Sequence, residues 1–377
     1  MKVCHITTVH HAKDTRIFYR MCQVVSKRGI AVTLIAPEPF VDPLVRMSPR
    51  NEQIGKTKSR LRRMRLAFHA ALEEKADIYH FHDPELIFLG LALKAWKPSS
   101  VVVYDVHEDY PSQMLVKYWI PKPLRRFVAW GALAWNTIGG WCFDGIVTAD
   151  PFVQQDFQQC ANGRTFLYYN FPSPKLFEAD LLADRPKGFD LIYVGGMSER
   201  SGMFVLFDAL KLLKQEGIEP TVGLAGYTDG EKGWKALEEG IRDRGISEQV
   251  TLKSRIPFSE VPGWICRGRI GLVSLQPIPK FMKNIPTKMF EYWTCGLPVI
   301  ASDLPPIRPF VYEQKNGLLF KATEAKDLAR AIKYCLRSPS VRKQMGLYGR
   351  ELVLTRWNND HQVDQLIQFY RKLLRYK

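Results

Sequence analysis

At 377 residues the chain is too long for one compact core and comfortable for two. No apolar run reaches the roughly 20 residues that a membrane-spanning helix needs. The net charge of +16 points to anionic partners, and no stretch resembles a nucleic-acid-binding module, so phosphate-bearing substrates and anionic lipid surfaces are the partners expected.

Met1-Lys2 leads straight into the apolar stretch Val3–Thr7, without a signal-peptide pattern. The seven cysteines are scattered, as in a reduced cytoplasmic protein, and no Cys/His cluster reads as a zinc site. The expected location is therefore the cytoplasm, with peripheral contact at the inner face of the plasma membrane.

Residues 3–7 read as a buried strand, 16–28 as a helix ending at Gly29, and 31–36 as the next strand. This alternation argues a parallel sheet wound with helices, with ligands beyond the C-terminal strand ends. The first strand–helix loop carries His10, His11, Asp14 and Arg16 but no glycine. The two histidines are either loop polarity or acceptor-binding groups. Asp14 is expected to cap the helix.

From 46 to 65 eight Lys and Arg residues face only Glu52. The later part reads as a helix, either with a solvated charged face or pressed against anionic headgroups, where each cation is worth roughly 1 kcal/mol. Two further strands end in His82-Asp83 and in His107-Glu108-Asp109. Asp83 and Asp109 are acceptor-side candidates, with helix capping as the competing role for Glu108 and Asp109. Residues 121–143 carry Phe127, Trp130, Trp135 and Trp141 behind Arg125 and Arg126. A core helix is the commoner reading of such a stretch; a helix lying in the membrane interface is the sharper one. Strands at 145–148 and 165–169 close a first domain, 1–170, and a hinge is expected over 171–188.

A second strand, glycine loop and helix begin at Phe189, with Gly195-Gly196, the loop 197–202 and a helix over 203–215. A second doubly wound domain is therefore expected over 189–355. The amphipathic segment within 356–377 is expected to cross back to the first domain.

The stretch Asn284–Asp303, NIPTKMFEYWTCGLPVIASD, reads as a polar loop, a short helix from about Pro286, a break at Gly296 and a buried strand. Free amides at the helix start attract a diphosphate, Lys283 and Lys288 add charge, and Glu291 lies a turn deeper, where it can accept from a ribose diol. This stretch resembles the nucleotide-sugar signature of the retaining group 1 (family 4 type) glycosyltransferases, in particular a bacterial polysaccharide-biosynthesis subgroup that shares the His and Asp-x-Arg-Ile-Phe of the first loop.

The resemblance implies the GT-B fold, an α/β architecture of two Rossmann-like doubly wound domains facing a cleft. It implies transfer of a sugar, glucose first, from a UDP-sugar to a hydroxyl of a lipid-linked saccharide for an exported polysaccharide, without metal or other cofactor. Glu291 matches the second glutamate of the family's pair, and Lys283 stands where the first would be. The implied donor site is Gly196, Arg200, Arg255, Ile256, Lys283, Asn284, Ile285, Thr287, Lys288 and Glu291. His107, Arg200 and Lys288 are the implied catalytic groups, and His10, His11, Asp83 and Asp109 lie on the acceptor side. The missing glutamate leaves open a protein that binds a nucleotide sugar with little or no transfer.

Overall fold

The structure, a computed structural model, describes every residue except 108, 117–119 and 178–187. It divides into two compact units, Met1–Asn170 with Asn359–Lys377, and Phe171–Asn358.

The first unit is built on seven parallel strands: β1 (Lys2–Ile6), β2 (Ala31–Ile35), β3 (Val45–Met47), β4 (Ile78–Phe81), β5 (Val101–Val106), β6 (Gly145–Thr148) and β7 (Thr165–Leu167). Their spatial order is β3-β2-β1-β4-β5-β6-β7. Strands covered on both faces read as continuous apolar runs, and β5 is buried at every position. One face packs on a π-helical turn, Thr15–Cys22, the helix α1 (Gln23–Lys27) that continues it, and the C-terminal helix Asn359–Arg375. The other carries α2 (Asn51–Lys56), α3 (Arg60–Glu73), α4 (Ile87–Trp96), α5 (Tyr110–Val116), α6 (Arg125–Cys142) and α7 (Pro151–Phe157).

Three local features refine the sequence reading. The helix after β1 opens with π-helical turns, with Asp14 capping it by accepting from the amides of Arg16 and Ile17. Strand β3 lies inside the basic stretch, and Arg46 and Arg50 pair with Glu74 and Glu73 from beyond it. Helix α6 shows its aromatic face to solvent instead of burying it. Of the expected hinge, Phe171 belongs to the second unit, its ring 4.7 Å from that of Phe290; residues 178–187 of it lie outside the described residues.

The second unit has six parallel strands: β8 (Phe189–Gly196), β9 (Val222–Tyr227), β10 (Val250–Lys253), β11 (Gly268–Val273), β12 (Val299–Ser302) and β13 (Gly317–Phe320), in the order β10-β9-β8-β11-β12-β13. Its helices are α8 (Met203–Gln215), α9 (Gly230–Asp243), α10 (Val261–Cys266), α11 (Thr287–Thr294), α12 (Ala325–Arg337) and α13 (Pro339–Thr355). Strand order reverses between β1 and β4 in one sheet and between β8 and β11 in the other. Open α/β sheets bind ligands beyond the strand ends at such reversals.

Candidate functional site

At the β8/β11 reversal, β8 ends in Gly195-Gly196, and the φ of 129° at Gly195 suits glycine. A Cβ there would lie 2.9 Å from Lys288 Nζ, so the glycine also makes room for the ammonium. Lys288 Nζ sits 3.6 Å from the centre of the Tyr193 ring. Tyr193 donates its hydroxyl to Gly196 O at 2.6 Å, and Tyr292 accepts from Val194 N at 3.0 Å. Burial pushes the Lys288 ammonium down to about 7, with the Glu291 carboxylate pulling the other way. The loop after β8 turns at Gly202, φ 75°, where a Cβ would collide with the carbonyl of Ser274 just past β11.

Helix α11 holds Lys288 and the buried Glu291 in its first turns. Pro286 is its cap, one residue before the first helical position. Gly296, φ 70°, ends it: Gly296 N donates to Trp293 O at 2.8 Å and Leu297 N to Tyr292 O at 3.0 Å, the paired bonds of a Schellman cap. Beneath it Phe290, Trp293, Phe310 and Trp357 pack ring on ring. The helix that carries the cation and the carboxylate is therefore pinned on its apolar side.

In the first unit β1 pairs His5 with His80 across the reversal. Period-two alternation sends His5, His80, His82, Asp105 and His107 to one side of the sheet. Asp105, fully buried, is their centre. Its Oδ2 accepts from Arg16 Nε, His82 Nδ1 and His107 Nε2, each at 3.0 Å, and its Oδ1 from Arg16 Nη2 at 2.8 Å. His82 Nδ1 also lies 3.1 Å from His107 Nε2, so the two imidazoles and the carboxylate form one cluster. His82 Nε2 in turn shares a hydrogen bond with His5 Nδ1 at 2.9 Å. His80 Nδ1 meets the Tyr370 hydroxyl of the C-terminal helix at 2.5 Å.

Burial holds His5 and His80 well below the ordinary imidazole value and His82 at about 4, so all three are neutral at pH 7. For Asp105 burial acts upward, but Arg16 and the two imidazoles outweigh it and keep the carboxyl well below its usual range.

Two groups here have the spacing of metal ligands: His82, Asp105 and His107, and His5, His80 and His82. The sequence reading saw no such cluster, because its members lie on three strands. Arg16 argues against an ion in the first group, since its guanidinium already occupies the shared carboxylate. In the second, the His5 and His82 rings lie within 13° of parallel, the geometry of an N–H···N bond.

His10 completes the set at the strand ends. Its ring lies 4.8 Å from that of His107, and its nitrogens 3.5 Å from Asp14 and from Asp83. Burial disfavours its charge, but the hydrogen bond to Asp14 and the field of Asp83 win and raise its pKa. A cation-favouring imidazole thus stands beside His107, which Asp105 holds from its Nε2 side.

Two family models match the chain, "Glycosyltransferase Family 4" over residues 15–171 and "Glycosyl transferases group 1" over 180–352. The chain belongs to the group 1, family 4 glycosyltransferases. Its fold is GT-B: sucrose-phosphate synthase from Thermosynechococcus elongatus superposes with a TM-score of 0.77 at 18% identity, covering 100% of both chains. Anabaena Alr3699/HepE, solved with UDP, gives a TM-score of 0.72 at 16% identity over 99% of this chain and 100% of that one. The amylovoran biosynthesis glycosyltransferase AmsK of Erwinia amylovora is 25% identical over 201 residues, 53% of this chain and 49% of that one. The chain thus spans about half the length of the curated relatives it matches.

For this family 4 chain the structure brings His10, Asp83 and His107 together, while His11 and Asp109 make other contacts. His11 pairs with Glu38 at 2.6 Å. Asp109 accepts from Ser112 N at 3.1 Å and so caps α5. Asp83 is spent on the β1 loop, its Oδ2 accepting from Thr7 Oγ1 at 2.9 Å and Thr8 N at 2.6 Å. Glu108 lies outside the described residues.

In the second unit Gly196, Lys288 and Glu291 stand at the strand reversal, with Lys283, Asn284, Ile285 and Thr287 leading into α11. Arg200 is exposed on the loop after β8, its carbonyl accepting from Gln276 N at 2.9 Å. Arg255 is exposed and Ile256 buried just past β10. Sequence reasoning missed Asp105, His5, His80, His82 and Tyr193. The patterns His80-x-His82 and Asp105-x-His107 carried the signal, since period two puts each pair on one face of a strand.

Proposed function

We propose that the chain is a retaining, metal-independent hexosyltransferase that moves a sugar, glucose first, from a UDP-sugar to a hydroxyl of a lipid-linked saccharide destined for an exported polysaccharide. The observation that carries this reading is the Lys288 ammonium seated against Gly195 at the β8/β11 reversal, with Glu291 behind it. A family member with Lys283 in place of the first glutamate, and with Arg200 as the cation of the loop after β8, still needs more positive charge for a leaving diphosphate. Lys288 and the amides at the start of α8 and α11 supply it. The bond from the anomeric carbon to the donor phosphate breaks, the acceptor oxygen bonds to that carbon on the same face, and its proton passes to the departing phosphate. No protein nucleophile is required. Glu291 accepts from the ribose diol, and His107 hydrogen-bonds a hydroxyl of the transferred sugar. The relatives named for amylovoran biosynthesis and solved with UDP support the donor and the pathway class.

Calorimetric titration with UDP, UDP-glucose, UDP-N-acetylglucosamine, UDP-galactose, GDP-mannose and ADP-glucose, in chelator, tests the reading. Micromolar binding of UDP and one UDP-sugar is expected; no binding by any of them sinks it. Tight binding without transfer to any glycan would mean a nucleotide-sugar-binding protein instead.

Glu291→Ala is expected to weaken UDP about tenfold or more, the cost of about 1.5–3 kcal/mol for a charged hydrogen bond. An unchanged Kd removes Glu291 from the site. His107→Ala is expected to cut kcat about hundredfold at unchanged UDP affinity. Steady-state rates equal to those of the unaltered protein would exclude the role given to His107.

A further inference from the structure

Helix α6 is built in reverse of a core helix. Its buried positions are Ala129, Asn136, Gly139 and Gly140, and a Cβ on Gly140 would strike Cys160 Sγ. Its outward positions are large: Phe127, Trp130 and Trp141 are 66, 65 and 64% exposed. Residues 127, 130, 134 and 141 fall on one stripe at helical spacing. The helix contains no acidic residue. Its only charges are Arg125 and Arg126 at the start, just after Lys122. Arg125 is partly committed, donating to Ile120 O at 2.9 Å, whereas Lys122 and Arg126 are exposed.

The neighbouring helices extend this surface. Helices α3, α4 and α6 cover the same sheet face. On α4, Phe88 is 62% exposed with its ring 4.4 Å from that of Trp135. Helix α3 turns Arg60, Arg62 and Arg65 to solvent. Cations therefore flank an aromatic stripe that no described element covers.

We propose that this face, centred on α6, docks on an anionic bilayer surface. Trp and Phe suit the headgroup boundary, and Lys and Arg stems reach from an apolar surface to phosphates. A second copy of the chain fits less well, because a two-fold contact sets a patch against itself and would bring these cations together. Among the described residues no helix is long and apolar enough to cross a membrane, so the contact is peripheral. The purpose of docking, meeting a lipid-borne acceptor, rests on the transferase reading; the docking itself is tested without any sugar.

The full chain is sedimented with vesicles of phosphatidylcholine alone and of phosphatidylcholine with phosphatidylglycerol. Binding to the anionic vesicles, weakened by salt, is expected. Lys122→Glu with Arg126→Glu should lower the partition coefficient by about tenfold or more, each cation near such a surface being worth roughly fivefold. Phe127→Ser with Trp130→Ser and Trp141→Ser should abolish sedimentation, while UDP affinity in both variants stays that of the parent. The proposal is overturned if the parent protein stays in the supernatant, or if the aromatic variant binds as the parent does. It is also overturned by a concentration-dependent dimer that the aromatic variant abolishes in the absence of vesicle binding. Failure with UDP binding intact leaves the transferase reading standing; vesicle binding with no nucleotide bound sinks that reading and keeps the docking face.

Discussion

Lys288→Met should weaken UDP about a hundredfold, roughly 3 kcal/mol, because it removes one partner of a desolvated charge pair. The unaltered protein should also show a pH signature. Burial against Tyr193 leaves the ammonium titrating near 7 in the empty site. A bound diphosphate favours the charged form and raises that value. Between pH 7 and 9 UDP affinity should therefore fall as pH rises, by up to about tenfold per unit, and binding should take up a proton.

Calorimetry in buffers of different ionisation enthalpy reads the proton directly. In Lys288→Met both the uptake and the slope should vanish in this window. A flat affinity in the parent protein would place the diphosphate elsewhere. Linkage gives the empty site the opposite sign. Between pH 7 and about 10.4 the unfolded chain holds the proton that folded Lys288 has lost, so stability rises with pH there. Lys288→Arg should not rescue binding, since the slot beside Gly195 admits a compact ammonium and not a planar fork.

Much of this site was legible in the chain because its parts are local. Pro286, Lys288, Glu291 and Gly296 lie within one short loop, helix and cap, and each has a backbone reason for its position. The parallel sheets were legible for a similar reason: doubly buried strands such as Val101–Val106 are uninterrupted apolar runs. What the sequence hid depends on pairing between distant strands. His5 meets His80 only through the register of β1 and β4, and Asp105 gains its partners from a π-helical turn 89 residues earlier and from the residue just past a strand 23 residues earlier. Burial of a helix face was hidden too. The composition of α6 suits a core helix, and only its small inward residues, fitted against Phe157 and Cys160, show that the aromatic side faces out.

Asp105→Asn should be the most damaging single change in the first unit. The carboxylate balances the buried Arg16 guanidinium and receives two imidazole N–H groups. Removing one partner of a buried ion pair costs about 3–5 kcal/mol, which corresponds to a fall in Tm of about 10 °C for a unit of this size. Restoring neutrality with Arg16→Met in the same chain should recover part of the loss, so the double variant should be less destabilised than the two single changes added together.

The pH dependence has a definite sign. Asp105 is held below its unfolded value, so its contribution is fully present above about pH 4 and disappears only as pH falls through the folded value. The gap in Tm between parent and Asp105→Asn should therefore stay constant from pH 5 to 8. A second readout separates stability from chemistry. The Asp105→Asn variant would put a neutral amide where His107 meets a carboxylate, removing the charge that holds the imidazole in place. Transfer at a temperature where the variant remains folded should then fall about hundredfold in kcat, with the Kd for UDP unchanged because the nucleotide site proposed above lies in the second unit. A variant with lowered Tm and full kcat would make Asp105 a structural ion pair only, and would free His107 from any dependence on it.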